Sequence, residues 1–201
     1  EGGAVALNLP SPFDNLEIYN KLCVSTLHGQ NKDALAKTQK GNWKYDIVEA
    51  GYKCNMTDLT AAIGLIELER YDSDTMVKRK HIAEKYSSLL SKDQRLELPL
   101  FKNEIKESCY HLYPLRIKGI SEQQRDAIMQ EIFNADVSVN VHFIPVPAMS
   151  FYRNLGYDVN LYKTTCDNFK REISLPIFYG LTDEQIETVV QAVINAVDKV
   201  C

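Results

Sequence analysis

The densest group of chemically useful side chains lies in Gly51-Tyr52-Lys53-Cys54-Asn55-Met56-Thr57-Asp58. Lys53 offers a cation, and Asn55 a carboxamide that can donate two hydrogen bonds. Both stand just ahead of Thr57-Asp58, a pair that opens a helix. A helix start carries unpaired N–H groups and the positive end of the helix dipole, so an anion is favoured there, phosphate above all. Spacing leaves a second reading open, in which Thr57 simply caps the helix and Asp58 complements its dipole. His142 stands late in a β-branched run before Phe143-Ile144-Pro145, where a packed histidine and a ligand group are both in keeping with the position. Cys109 and His111 are two apart and would share a face of a strand. A thiolate nucleophile also needs an orienting third group. None is near in sequence, so Cys109 reads as a buried structural thiol. His28-Gly29 suits a helix end, with the imidazole near the last carbonyls.

The elements that must position these groups can be read from pattern. Val5–Leu9 reads as a short strand, and Ser11-Pro12 as a helix opening followed by Leu16, Tyr19, Cys23 and Leu27 at helical spacing. Gln30–Val48, with Trp43, reads as a long loop. Leu59, Ala62, Ile63 and Ile66 predict the buried stripe of the helix after Thr57. Tyr71-Asp72-Ser73-Asp74 marks a break. Ile82, Tyr86, Leu89 and Leu90 then form a second stripe, with Lys78-Arg79-Lys80 and Glu84-Lys85 on the solvated side. Ser91–Glu107 reads as a linker. From Tyr110 onward the order is β-α-β-α-β-α: a strand over Tyr110–Ile117, a helix capped by Ser121 and Gln124 and carrying Ile128, Ile132 and Phe133, and a strand over Val137–Ile144. A helix near Tyr162–Lys170, the strand Ile173-Ser174-Leu175 and a last helix follow, the last capped by Thr182 and Gln185. That order predicts a small α/β layer domain.

The chain has 201 residues, of which 45% are hydrophobic and 25% charged, a globular composition with enough apolar surface for a core. Lys and Arg number 23 against 27 Asp and Glu, giving −4, and no basic block offers nucleic acid a footprint. Leu59–Ile66, among the longest apolar stretches, is far short of the ~20 residues of a bilayer span. Five cysteines with no Cys-x-x-Cys spacing argue for unpaired thiols in a reduced, cytoplasmic setting and against a metal site. The chain opens on Glu1-Gly2-Gly3 leading straight into an apolar run, which suggests residues missing upstream.

Several segments together resemble the sugar-nucleotide aminotransferases of the DegT/DnrJ/StrS group. They are Glu1-Gly2-Gly3-Ala4-Val5, Leu27-His28-Gly29, the run from Glu49 to Leu65, His111-Leu112-Tyr113, His142-Phe143-Ile144-Pro145 and Ile173-Ser174-Leu175-Pro176. The resemblance implies an α/β fold, the C-terminal part of a fold type I pyridoxal-phosphate transferase. Residues 1–70 would be the end of the large cofactor-binding domain, and 71–201 a connecting helix and small C-terminal domain. It implies pyridoxal 5'-phosphate as cofactor in the intact enzyme, a glutamate-type amino donor, a nucleotide-linked keto-sugar and a homodimer. Asn55 matches the asparagine that reaches the partner subunit's cofactor phosphate, with Lys53 beside it, and His142 and Phe143 match substrate-side positions. Cys54 replaces the family's aromatic, and Pro147 stands where a second histidine usually follows. His28 and His111 also match family positions, and structural roles are expected of both.

The family's Schiff-base lysine would precede Glu1, so the resemblance implies no catalytic residue within these 201 and no covalently held cofactor. Three functions follow for comparison. The chain is half of an aminotransferase, inactive alone; or a non-catalytic dimerisation or ligand-binding module; or a Cys109–His111 hydrolase, the weakest of the three.

Overall fold

The computed structural model describes residues 2–31, 40–41 and 44–201. Trp43 and most of the loop expected around it lie outside the described residues. Two compact units are present, Glu1–Glu69 and Arg70–Cys201.

In the first unit, helix α1 spans Asn15–Thr26. It starts later than Ser11-Pro12 suggested, because Asp14 is the better cap: its carboxylate accepts from Leu16 N–H (2.8 Å) and Glu17 N–H (3.2 Å). Ser11-Pro12 instead lies in a turn closed by Phe13 N–H on Pro10 O at 3.1 Å. The strand expected over Val5–Leu9 does not form. Strand N–H groups need a paired neighbour, and the Leu9 backbone is satisfied by the Asn15 side chain. The far end of α1 turns through positive φ at His28 (61°) and Gly29 (76°). Gly29 N–H and Leu27 N–H both reach Val24 O, so backbone rather than imidazole closes this end. An isolated bridge between Gln30 and Ile47 joins the two ends of the loop.

Helix α2, Asp58–Arg70, follows Thr57 as expected, but its predicted buried stripe is open: Leu59 is 82% and Ile63 66% exposed, and Ile66 is exposed too.

The second unit begins with a π-helical turn, Tyr71–Thr75, at the expected break, followed by α3, Met76–Leu90. Ile82, Tyr86 and Leu90 of α3 are buried and Leu89 partly so. On its other side Lys80 pairs with Glu107 and Lys85 with Asp183 and Glu187. Three antiparallel strands form one sheet in the order β1-β2-β3: Leu96–Glu97, Tyr113–Ile117 and Glu172–Leu175. The segment 91–107 is therefore more than a linker, since Leu96 is buried and Lys102 bridges Glu107.

Strand β2 alternates in burial, with Tyr113, Leu115 and Ile117 inward. It starts later than Tyr110 because that residue sits at φ 54°, outside strand geometry. In the β2–β3 register Tyr113 faces Leu175 and Leu115 faces Ile173, so these four share the core face. Glu172 and Ser174 point to the opposite face yet are buried as well.

Helix α4, Glu122–Asn134, and the last helix, which spans Asp183–Val200, carry the two predicted capping boxes, complete in both directions. Ile128 and Ile132 are buried, whereas Phe133 stays exposed because it projects about 100° around the helix from Ile132. Ile186, Val189, Val193 and Val197 of the last helix are buried together, with Val190 and Ile194 packed at the margin. Between these helices lie two 3₁₀ turns, the short α5, Ser150–Asn154, and α6, Lys163–Arg171; the last helix is α7.

The strand expected over Val137–Ile144 shrinks to one bridge, Asn140 with Ser174. The ladder stops there because the next in-line donor, His142 N–H, turns to the Glu172 side chain at 3.1 Å instead of a neighbouring backbone carbonyl.

Candidate functional site

In the first unit, residues 51–54 run antiparallel along the end of α1. Tyr52 N–H donates to Ser25 O (2.7 Å), His28 N–H to Tyr52 O (3.0 Å) and Cys54 N–H to Thr26 O (3.1 Å). Two glycines permit this approach. A Cβ on Gly51 would sit 2.2 Å from Gly29 N, and one on Gly29 would sit 1.8 Å from Glu49 O. Ser25 Oγ also donates to the Glu49 carboxylate. Sequence reading missed this support; the glycine pair was its signal.

The clamp holds Lys53 and Asn55 in register just before α2. Lys53 Nζ donates to Asn55 Oδ1, which occupies the amide's acceptor and leaves its NH₂ as the outward group. Both side chains are exposed. A lysine ammonium, an amide NH₂ and a helix start form an all-donor set, which suits a phosphate and repels a cation.

In the second unit, His142 borders a cleft of about 310 Å³ with His111, Asn140 and Ser174. Its Nδ1 lies 2.8 Å from Ser174 Oγ, and Ser174 Oγ donates to Glu172 Oε1. Burial pushes the Glu172 carboxyl above the usual carboxylate range, against the opposing pull of Ser174 Oγ–H and His142 N–H. Arg125 is buried behind it: Nη1 donates to Phe169 O at 2.7 Å and lies 3.4 Å from Glu172 O. Phe143 packs edge-on against the imidazole at 4.6 Å, is 72% exposed and does not border this cleft. Glu172 and Ser174 were not singled out from sequence, although polar residues alternating with Ile173 and Leu175 carried a signal.

Cys109 is exposed, contrary to the buried thiol expected. Tyr110 at φ 54° breaks the shared strand face that would have joined Cys109 to His111. His111 O accepts from Arg79 at 3.2 Å, and the residue borders the cleft. All five cysteines are free thiols.

Residues 1–194 match the DegT/DnrJ/EryC1/StrS aminotransferase family. The chain belongs to that family. It is 31% identical over 186 residues to the spore coat polysaccharide biosynthesis protein SpsC of Bacillus subtilis, covering 90% of this chain and 47% of that protein. It is 29% identical over 201 residues to a Campylobacter jejuni protein, UDP-4-amino-4,6-dideoxy-N-acetyl-beta-L-altrosamine transaminase, covering all of this chain and 49% of that one. Among solved structures it matches a Streptococcus pneumoniae protein assigned as a sugar aminotransferase, Spr1654, in its PMP form. That match has a TM-score of 0.88 and 39% identity and covers 96% of this chain and 48% of the other. The same protein is also known in a PLP form. The chain therefore spans about half the length of these relatives. Its α/β architecture is that of the C-terminal portion of a fold type I transferase.

Proposed function

We propose that these residues are the C-terminal half of a pyridoxal-phosphate enzyme that moves an amino group from a glutamate-type donor to a nucleotide-linked keto-sugar. The observation that carries this reading is the Lys53–Asn55 pair held ahead of α2 by the Gly29–Gly51 contact, inside a chain of this family. The donor set fits the cofactor's phosphate. Asn55 supplies the NH₂ donor and Lys53 both orients that amide and adds charge, and in a homodimer the phosphate they hold is the partner subunit's. When bound, the cofactor supplies an electron-withdrawing ring that labilises the bonds around the transferred nitrogen. His142 and Phe143 sit on the sugar-nucleotide side, in keeping with the UDP-sugar named for the Campylobacter relative. Residues 1–70 belong to the large domain and 71–201 to the connecting helix and small domain. The enzyme works in the cytoplasm, and the lysine that anchors its cofactor lies outside these 201 residues. The reading as a non-catalytic module draws on the self-contained core of the second unit.

The test is amino transfer itself. A product extended upstream to include a Ser-Phe-His-x-x-Lys-like stretch should aminate a UDP-linked 4-keto-sugar with glutamate, and the 201-residue chain alone should not. Asn55→Ala in the extended protein should weaken cofactor binding about tenfold or more, as expected for one lost hydrogen bond to a charged group. An extended product that binds the cofactor and transfers no nitrogen would favour the module instead.

A further inference from the structure

The second unit encloses one carboxylate behind its cleft. Glu172 is 5% and Ser174 4% exposed, both on the face of β3 away from the apolar core. Two of the interactions there lead to one histidine. Ser174 Oγ contacts Glu172 Oε1 on one side and His142 Nδ1 on the other, and the His142 backbone N–H donates to Glu172 Oε2 at 3.1 Å. A histidine held at its backbone by the carboxylate, and at its ring by the serine bonded to that carboxylate, has few orientations left.

The Ser174 hydroxyl carries a single proton, so the chain Glu172–Ser174–His142 has two neutral-ring arrangements. In one, Oγ–H donates to an ionised Glu172 and Oγ accepts from Nδ1–H, which leaves Nε2 bare. In the other, a protonated Glu172 donates to Oγ, the hydroxyl donates to Nδ1, and Nε2 carries the proton. The groups around Glu172 decide between them. His142 N–H and the Arg125 guanidinium of α4 both favour a carboxylate, and Ser174 Oγ can donate to it. Arg116, opposite Glu172 in the β2–β3 register, directs its Nη2 to Glu97 at 2.5 Å and its Nη1 to Asn168 at 2.7 Å. Burial opposes ionisation, but two direct donors and a nearby guanidinium stand against it.

We infer that Glu172 is a positioning residue: through Ser174 it fixes the His142 proton on Nδ1 and presents Nε2 as a hydrogen-bond acceptor. An acceptor nitrogen at a cleft selects ligand groups that donate, such as the hydroxyls of a sugar or ribose. This rests on the reading of His142 as a substrate residue only for what Nε2 meets. The proton arrangement belongs to the chain itself.

The experiment is ¹⁵N-histidine NMR on the 201-residue chain at a pH where its imidazoles are neutral, because ring nitrogen shifts report which atom is protonated. His142 should show its proton on Nδ1, unlike free histidine, which prefers Nε2–H. Ser174→Ala should return His142 to the Nε2–H form. Glu172→Gln should lower the Nδ1–H population, because the amide replaces one of the two accepting oxygens with an NH₂ donor, so either Ser174 Oγ–H or His142 N–H loses its acceptor. A wild-type His142 protonated on Nε2, or a tautomer unchanged in both variants, would overturn the inference. If a variant does not fold, the wild-type spectrum still decides. Adding UDP separates the two readings. Silence at His142 with Nδ1–H retained would count against the substrate role and leave the positioning role standing.

Discussion

At the scale of single residues, the molecule relies on short polar chains that run through one hydroxyl. Ser25 links α1 to Glu49 near the Lys53–Asn55 pair, and Ser174 links Glu172 to His142 beside the cleft. The Glu172 chain bears on stability as well as geometry. Its carboxyl is raised above the ordinary value in the folded state, chiefly by burial. The unfolded chain therefore releases that proton at lower pH than the folded one. Between the ordinary carboxylate range and the raised one the folded state holds more protons, so stability falls as pH rises through that window. Glu172→Gln removes this loss. Urea midpoints should therefore favour the variant more at pH 7 than at pH 4. A pH-independent difference between the two proteins would contradict the assignment.

At the scale of elements, the helix starts show which local signals prevail. Thr182 and Ser121 each accept from the N–H three residues on, and Gln185 and Gln124 each return a bond to the cap. Thr182→Ala or Ser121→Ala should each cost about 1 kcal/mol, read as a drop in the unfolding midpoint of the second unit. Ser11→Ala should leave it unchanged, since Ser11 caps no helix and belongs to the other unit. The strands show the opposite case. Val137–Ile144 has the composition of a strand, yet pairing at Asn140 ends once a side chain offers a better acceptor. Composition describes a tendency to extend, whereas pairing depends on what lies alongside.

At the scale of the whole molecule, the two units differ in how far they bury their own apolar residues. The second holds a continuous core from α3, the sheet, α4 and α7. In the first, Leu65 and Leu68 of α2 join Gly2, Gly3 and Ala4 around an open apolar groove of about 720 Å³. Exposed apolar surface on that scale promotes association. The 201-residue chain should therefore bind a hydrophobic dye and sediment as more than a monomer. A clean monomer without dye binding would count against this. Loss of dye binding when Leu65 and Leu68 are replaced by Ser would locate the surface.

Much of the fold, and the proximity of Lys53 to Asn55 in the candidate site, was legible in the sequence, because the signals were local. The capping boxes, the stripes of α3 and α7, the break at Tyr71 and the donor pair Lys53–Asn55 each depend on residues within a few positions of one another. The glycine-to-glycine contact, the reduction of a predicted strand to one bridge, and the burial of Glu172 behind His142 depend on segments 22 to 34 residues apart. The exposed stripe of α2 shows the same limit from the other side: periodicity names the face that avoids water, but only the tertiary structure decides whether anything covers it.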